Sequence, residues 1–285
     1  MLIRKRQAEP VLVLGGTGKT GRRVAHRLQA RSVPVRIGSR TGVPPFDWTD
    51  PSTWPAAVRG TRAAYLAYAP DLAVPGAVET VAAFTEAALA GGIQRLVLLS
   101  GRGEEEAQRA EDAVRSSGAE WTIVRSAFFS QNFTESFMSE LIVGGELVLP
   151  AGKIPEPFID ADDIADIAAA ALTDDRHAGH LYEVTGPRLL TFDDAVAEIS
   201  RATGLEIRYT QVAMEVFTAA LREQLVPDEY ISLLEYLFGT VLDGRNAHLG
   251  DGVQRALGRA PRDFRDFARA AAASGVWAPP ASDVA

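Results

Sequence analysis

Hydrophobic residues recur along this chain in two alternating patterns. Short, continuous apolar runs such as Val11–Leu14 are typical of buried parallel strands. Longer segments with apolar residues at helical spacing, such as residues 77–90, predict helices between those strands. Strands that alternate with helices predict an α/β fold, a Rossmann-type doubly wound parallel sheet. The predicted strands of this sheet are 11–14, 33–37, 63–69, 95–100 and 121–125.

The pattern becomes less regular after Arg125, where short strands and helices mix. Thr191 and Asp194 stand three residues apart before an apolar-periodic run, as in a helix-capping box. We therefore expect a Rossmann domain over residues 1–150, with segments of the chain that cross between the two lobes. Residues 151–285 are expected to form a smaller α+β region that binds the substrate. One continuous domain is an equally defensible interpretation. Short strands are predicted at 147–149, 155–159, 181–184 and 206–212, and helices at 160–172, 191–202, 214–222 and 262–273.

Glycines follow the first strand at a spacing that predicts a dinucleotide site. Gly15 would allow a tight turn, Gly18 would let the backbone approach phosphates, and Gly21 would let the helix pack on the strand. The start of that helix would present N–H groups and a positive dipole to the anion. A tight turn without a ligand is the alternative. The residues predicted to hold the pyrophosphate are Gly15, Thr17, Gly18, Lys19, Thr20 and Gly21.

The second strand ends at Ser39 and Arg40, where this fold contacts the adenosine ribose. An acidic residue there would bind the 2′-hydroxyl of NAD, but none is present. A serine and an arginine suit a 2′-phosphate, so NADP(H) is the expected cofactor. A charge-assisted bond of roughly 1.5–3 kcal/mol favours NADP about 10- to 100-fold. A solvated arginine is the alternative interpretation of Arg40.

Further candidates lie where other strands end, because ligands bind beyond the carboxyl ends of parallel strands. Asp47 and Trp48 are predicted at the adenosine end of the site, although a core tryptophan is equally plausible. The remaining predicted wall residues are Tyr68, Ala69, Pro70 and Ser100. Residues 126–133 carry three aromatic side chains around Gln131 and Asn132, and they predict an apolar floor for a flat ligand or, equally, a core cluster. The acceptor residues expected there are Phe128, Phe129, Asn132 and Phe133.

The composition and charge of the chain argue against several other functions. The chain has 285 residues and no cysteine, which excludes a thiolate nucleophile or thiolate metal site. A net charge of −8 argues against nucleic acid, and no apolar run is long enough to span a membrane. The acids at 160–166 are interpreted as helix caps, so no metal is expected. A cytoplasmic protein with a small-molecule substrate is expected, and a homo-oligomer is left open.

Several motifs together resemble the NmrA-like branch of the atypical short-chain dehydrogenases. They are GGTGKTG, GSR, FDW, RLVLLS, WTIVRSAFFSQNF and FIDADDIADIA, in that order over essentially the whole chain. Within the branch, the ergot-alkaloid dehydrogenases and the bacterial NADPH quinone reductases are the most similar groups. The resemblance to the ergot-alkaloid dehydrogenases implies NADPH-linked reduction of an iminium, and we expect an aromatic or polycyclic substrate. It also admits a non-catalytic, NADP-sensing NmrA-like regulator.

The dehydrogenases to which this branch is related use a Tyr-x-x-x-Lys pair, and no such spacing occurs here. A simple ketone needs an acid to protonate the developing alkoxide. An iminium nitrogen is already cationic, and the anion formed from a quinone is delocalised. The missing pair therefore predicts hydride transfer to a flat iminium, quinone or conjugated carbonyl, with Ser100 and Tyr68 as substitute proton donors.

Overall fold

The computed structural model describes residues 9–278, which divide into two compact units. Among these residues the first unit, here called the sheet unit, comprises 9–125 and Ile164–Tyr182. The second unit comprises Ser126–Asp163 and 183–278. This division differs from a single boundary at residue 150, because one helix and one strand carry the chain back into the sheet unit. Periodicity identifies such elements but does not show which core they join.

Parallel strands form the central sheet of the structure. Within residues 9–278 its order is β2-β1-β3-β4-β5-β7, and a separate pair is β6-β8. Val11 of β1 lies opposite Val35 of β2 on one side and Ala63 of β3 on the other, both in parallel register. This arrangement confirms the predicted α/β, Rossmann-type sheet. The strands are β1 (Val11–Leu14), β2 (Val35–Gly38), β3 (Ala63–Leu66), β4 (Arg95–Gly101), β5 (Glu120–Ser126), β6 (Glu146–Leu149), β7 (His180–Val184) and β8 (Arg208–Gln211).

Helices occupy the connections between strands, as the periodicity predicts. They are α1 (Lys19–Ala30), α2 (Trp54–Val58), α3 (Ala77–Ala90), α4 (Glu105–Arg115), α5 (Phe137–Val143), α6 (Ala161–Ala171), α7 (Phe192–Thr203), α8 (Met214–Glu223), α9 (Asp228–Tyr236), α10 (Gly252–Leu257) and α11 (Phe264–Ala273). A π-helical turn, Leu237–Val241, follows α9. Within residues 9–278 no helix combines the length and apolar character that a membrane span requires.

The core of the sheet unit explains why its strands are continuously apolar. All four residues of β1 are buried, because both faces of the strand are covered. Leu12 and Leu14 belong to a cluster with Phe84 of α3, and Trp54 packs edge-on against that phenyl ring at 5.5 Å. Alternate residues of β3 and β4 extend this cluster, so one face of the sheet forms a single core.

Aromatic side chains form the core of the second unit. Phe133, Phe158, Phe192 and Phe264 contact one another with ring centroids 5.2–5.8 Å apart. Residues 155–159, predicted as a strand, instead make isolated bridges: Phe129 with Ile159, and Glu156 with Leu190.

The predicted capping box of α7 is confirmed. The Thr191 side chain accepts a hydrogen bond from the Asp194 backbone N–H, and the Asp194 carboxylate accepts one from the Thr191 backbone N–H. These bonds satisfy the first N–H groups of the helix, which would otherwise lack partners.

Trp277 anchors the end of the described chain to this aromatic core. Its indole is 1% exposed, and its Nε1–H donates to the Phe133 carbonyl at 2.9 Å. Trp277→Ala should lower the free energy of unfolding by about 3–5 kcal/mol, because it removes a buried aromatic volume. Trp277→Phe, the matched control, keeps much of that volume and should cost about 1–3 kcal/mol. Urea titrations measure both losses, and equal losses would contradict a packing role for the ring.

Candidate active site

The loop between β1 and α1 is closed by backbone contacts. The Gly18 N–H donates to the Gly15 carbonyl at 2.9 Å, and Gly15 has a positive φ of 63°. A Cβ at position 21 would overlap with the Gly15 carbonyl oxygen and with the backbone of Gly16. The first turn of α1 therefore rests directly on the loop, and only glycine fits at position 21. Thr17 and Gly18 are exposed at the outer edge of this turn.

The N-terminus of α1 suits an anion electrostatically. Gly18, its N-cap, offers no side-chain hydrogen bond, and the first turn contains no acidic residue. In contrast, α7 begins with a Thr191 cap and two aspartates, and α11 begins with an Asp263 cap. The positive end of the α1 dipole is thus left for a ligand, with Lys19 in the same turn. The shape and charge of this loop fit a dinucleotide pyrophosphate.

Arg40 and Asp47 lie close enough to interact at the end of β2. Arg40 is exposed and makes no hydrogen bond or ion pair within the described residues 9–278. The pKa of Asp47 is lowered mainly by two hydrogen bonds from Thr49, with a smaller electrostatic contribution from Arg40. One carboxylate oxygen of Asp47 accepts both Thr49 bonds at 2.9 Å, so the carboxylate is hydrogen-bonded within its own turn. The Arg40 guanidinium is therefore the cationic group that is accessible to a ligand at the end of β2.

Trp48 and Tyr68 form an aromatic wall next to the β3 end. Their rings lie 5.0 Å apart, and the Trp48 indole donates to the Ala67 carbonyl at 3.3 Å. Trp48 is 7% exposed and belongs to the core of the sheet unit, so little of its ring is open to a ligand. Tyr68 is half-buried, and Ala69 and Pro70 are exposed immediately after it. The exposed part of this wall is therefore the segment that follows Tyr68.

Ser100 belongs to a buried network that the sequence did not reveal. Its hydroxyl donates to Glu111 of α4 at 2.6 Å, and Glu111 accepts two bonds from Arg125 at 2.8 and 2.5 Å. Ser100 and Glu111 are 3% and 1% exposed. The carboxylate is thus neutralised by the guanidinium inside the sheet unit. The proton of Ser100 points at a carboxylate of the protein, which ties β4, α4 and β5 together.

A second buried acid lies three residues beyond β4. Glu104 is 8% exposed and shares a hydrogen bond with Asp71, which follows Pro70 in the β3 loop. Burial and the neighbouring Asp71 carboxylate raise the pKa of Glu104 well above its ordinary value. Burial also raises the pKa of Asp71, while backbone N–H bonds from Ala73 and Leu72 act in the opposite direction. Sequence reasoning missed this pair, although both acids directly follow predicted strand ends.

The predicted acceptor residues lie in the second unit. Phe128 is half-buried against Phe158 and Phe192, and Phe129 and Asn132 are also half-buried. Phe133 is 0% exposed within the aromatic core, so the expectation that it lines a ligand site is corrected. The four residues fall on one short segment. Phe133 is a member of the core, whereas the other three keep some accessible surface. The cofactor candidates all fall in the sheet unit.

Comparisons with known proteins agree with this fold. A family model described as "NmrA-like family" matches residues 46–260. A (4-alkanoyl-5-oxo-2,5-dihydrofuran-3-yl)methyl phosphate reductase from Streptomyces griseus is 34% identical, over 90% of this chain and 96% of that protein. Agroclavine dehydrogenase from Claviceps fusiformis is 29% identical over 90% and 96%. The structure of the NADPH-dependent quinone oxidoreductase QOR2 from Escherichia coli superposes with a TM-score of 0.76 and 20% identity, over 90% and 98% of the two chains.

Gly18→Val tests the loop as a phosphate cradle. Gly18 has φ −79° and ψ −179°, extended backbone that valine adopts, and a Cβ there meets only the Gly15 carbonyl at 3.2 Å. The fold should survive, but the valine side chain would occupy the approach to the pyrophosphate. Calorimetric titration should show loss of NADPH and NADH binding with a melting temperature close to wild type. Retained binding of either dinucleotide would remove this loop from the site.

Proposed function

The chain belongs to the NmrA-like family and is an NAD(P)H-dependent reductase, and we propose that it uses NADPH to reduce a flat electrophile. The acceptor class that we propose comprises iminium ions, quinones and conjugated carbonyl compounds. The single observation that carries the proposal is the uncapped, acid-free start of α1 above the closed glycine loop. When bound there, the nicotinamide cofactor would supply the hydride.

The protein's own contribution to binding follows from the loop. Gly15, Gly18 and Gly21 would let the loop backbone and the start of α1 approach the pyrophosphate, and Thr17, Lys19 and Thr20 would contact it from the same turn. Ser39 and Arg40 would hold the 2′-phosphate of the adenosine ribose. Asp47, Trp48, Ala69, Pro70 and Ser100 are the further proposed cofactor contacts. The Asp47 carboxylate is already hydrogen-bonded to Thr49, which supports Arg40 as the group that recognises the 2′-position of the ribose.

The acceptor end is proposed from the second unit. Phe128 and Phe129 would give a flat ligand an apolar surface, and the Asn132 amide would orient its polar atom. The relative from Streptomyces griseus is named for a 5-oxo-2,5-dihydrofuran, a ring with a carbon–carbon double bond next to a carbonyl group. That name supports a conjugated carbonyl within the proposed acceptor class. Positioning of the acceptor would then contribute much of the rate enhancement.

The Arg40→Ala variant tests the preference for the 2′-phosphate. Removing the guanidinium deletes a charge-assisted hydrogen bond, so NADPH binding should weaken about 10- to 100-fold. NADH lacks the 2′-phosphate, and its affinity should change little. Calorimetry with both dinucleotides measures the ratio, and Arg31→Ala, another exposed arginine, serves as the control. Equal losses for NADPH and NADH would refute the assignment.

An acceptor panel tests the proposed reaction. We expect the purified protein to oxidise NADPH in the presence of at least one quinone, cyclic iminium or enone, measured as loss of absorbance of the reduced nicotinamide. The rate should exceed that with NADH. Tight NADPH binding without turnover across the panel would contradict the acceptor class and favour an NADP-sensing regulator.

A further inference from the structure

We propose that the Asp71–Glu104 carboxyl pair is the proton donor for acceptors whose reduction needs a proton. This inference rests on the proposed function, because it names the acid that the missing Tyr-x-x-x-Lys pair leaves unassigned. The pair lies within the sheet unit, where Asp71 follows β3 and Glu104 follows β4. The carboxyl ends of these two adjacent strands are the edge at which doubly wound sheets bind ligands.

The packing around Glu104 shows that its position is built into the fold. A Cβ at position 101 would overlap with both carboxyl oxygens of Glu104, so glycine at the end of β4 makes room for this side chain. Gly103, with a φ of 74°, then turns the chain so that Glu104 caps α4 from an extended conformation. The carboxyl group is therefore folded back over the end of its own strand instead of extending into solvent.

The hydrogen bond between the Asp71 and Glu104 carboxyl groups implies that the pair shares one proton. Two carboxyl groups bond to each other only when one of them is protonated. Asp71 accepts the Ala73 N–H at 2.9 Å and a further bond from Leu72, which favours the charged form on Asp71. Glu104 faces the carboxylates of Asp71, Glu106 and Glu111, which disfavour its own ionisation. Glu104 is thus the proton-bearing partner, and Asp71, which is only partly buried, connects the pair to the surface.

The other buried acid of this edge is held in a different state. Glu111 accepts bonds from Ser100 and from both nitrogens of the Arg125 fork, so it is a compensated carboxylate. It can orient the Ser100 hydroxyl, but it has no proton to give. The contrast between Glu111 and Glu104 identifies which of the two acids can protonate a product.

The pair would supply the proton that accompanies hydride transfer. A bound nicotinamide cofactor would supply the hydride to a carbon of the acceptor, and the carbonyl oxygen of the acceptor would take the proton of the pair as the carboxyl O–H bond breaks. The pair is left as two adjacent carboxylates, and it regains one proton from water because two like charges at this spacing are unfavourable. An iminium acceptor becomes a neutral amine on gaining hydride and needs no such proton.

The decisive experiment compares Glu104→Gln with wild type on an enone and on a cyclic iminium. Loss of the acid should reduce kcat/KM for the enone about 100-fold and leave iminium reduction within a few-fold. Glu105→Gln, an exposed neighbour in the same turn, should change neither rate. An enone rate that stays at the wild-type level, or an equal fall for both acceptors, would overturn the proposal.

Asp71→Asn provides a second variant with a pH readout. In wild type, enone reduction should decline as pH rises through the value at which the pair loses its shared proton. Removing the Asp71 charge should move this decline to lower pH, because Glu104 then ionises more easily. A purely structural pair would leave the position of the decline unchanged, and that result would count against the proposal.

Protein stability tests the shared proton without any cofactor. Above the ordinary glutamate pKa of about 4.3, the folded chain keeps a proton that the unfolded chain has lost. The free energy of unfolding should therefore fall as pH rises from there until the pair ionises. Glu104→Gln should reduce this fall, and coincident pH dependences of the two proteins would overturn the shared proton.

These readouts separate the two proposals. If wild type turns over no acceptor, the proposed function fails, while the stability measurement still reports on the pair. If wild type reduces both acceptors and Glu104→Gln behaves identically, the proton donor fails and the proposed function stands.

Discussion

The contact between the first turn of α1 and the Gly15 carbonyl is the constraint on which the rest of the account depends. Without a side chain at Gly21, α1 can start directly on the end of β1, and its dipole then acts at the loop rather than one turn away. The turn closed by Gly18 fixes the direction of that start. Backbone geometry, not a charged side chain, is thus the main determinant of the proposed anion site.

Buried carboxyl groups divide the carboxyl edge of the sheet into two chemically distinct places. Arg125 compensates Glu111, and the resulting network joins three elements of the sheet unit. At Glu104, burial and the neighbouring Asp71 carboxylate instead raise the pKa of the carboxyl group well above its ordinary value. Two glutamates seven residues apart therefore occupy different electrostatic environments, because their neighbours differ.

Sequence reasoning predicted the sheet, the glycine loop and the capping box because each depends on local pattern. The apolar run of β1 and the spacing of Thr191 and Asp194 are properties of adjacent residues. It could not distinguish Phe133 from Phe128, since burial of a phenylalanine depends on residues such as Trp277 that are remote in sequence. It also missed Glu104, whose environment comes from Asp71 on another loop.

The division into units shows the same limit. The periodicity of α6 and β7 identifies a helix and a strand, but their membership of the sheet unit is a long-range property. Predictions made from spacing therefore located the strands of the sheet, but they did not show which unit each element joins.

The most direct test of the central claim is the melting temperature of the wild-type chain with and without NADPH. At a ligand concentration of 100 times Kd, binding stabilises the folded state by about 2.7 kcal/mol, so a rise of roughly 5–10 °C is expected. No rise with millimolar NADPH or NADP⁺ would contradict the assignment of the Gly15–Gly21 loop as a dinucleotide site.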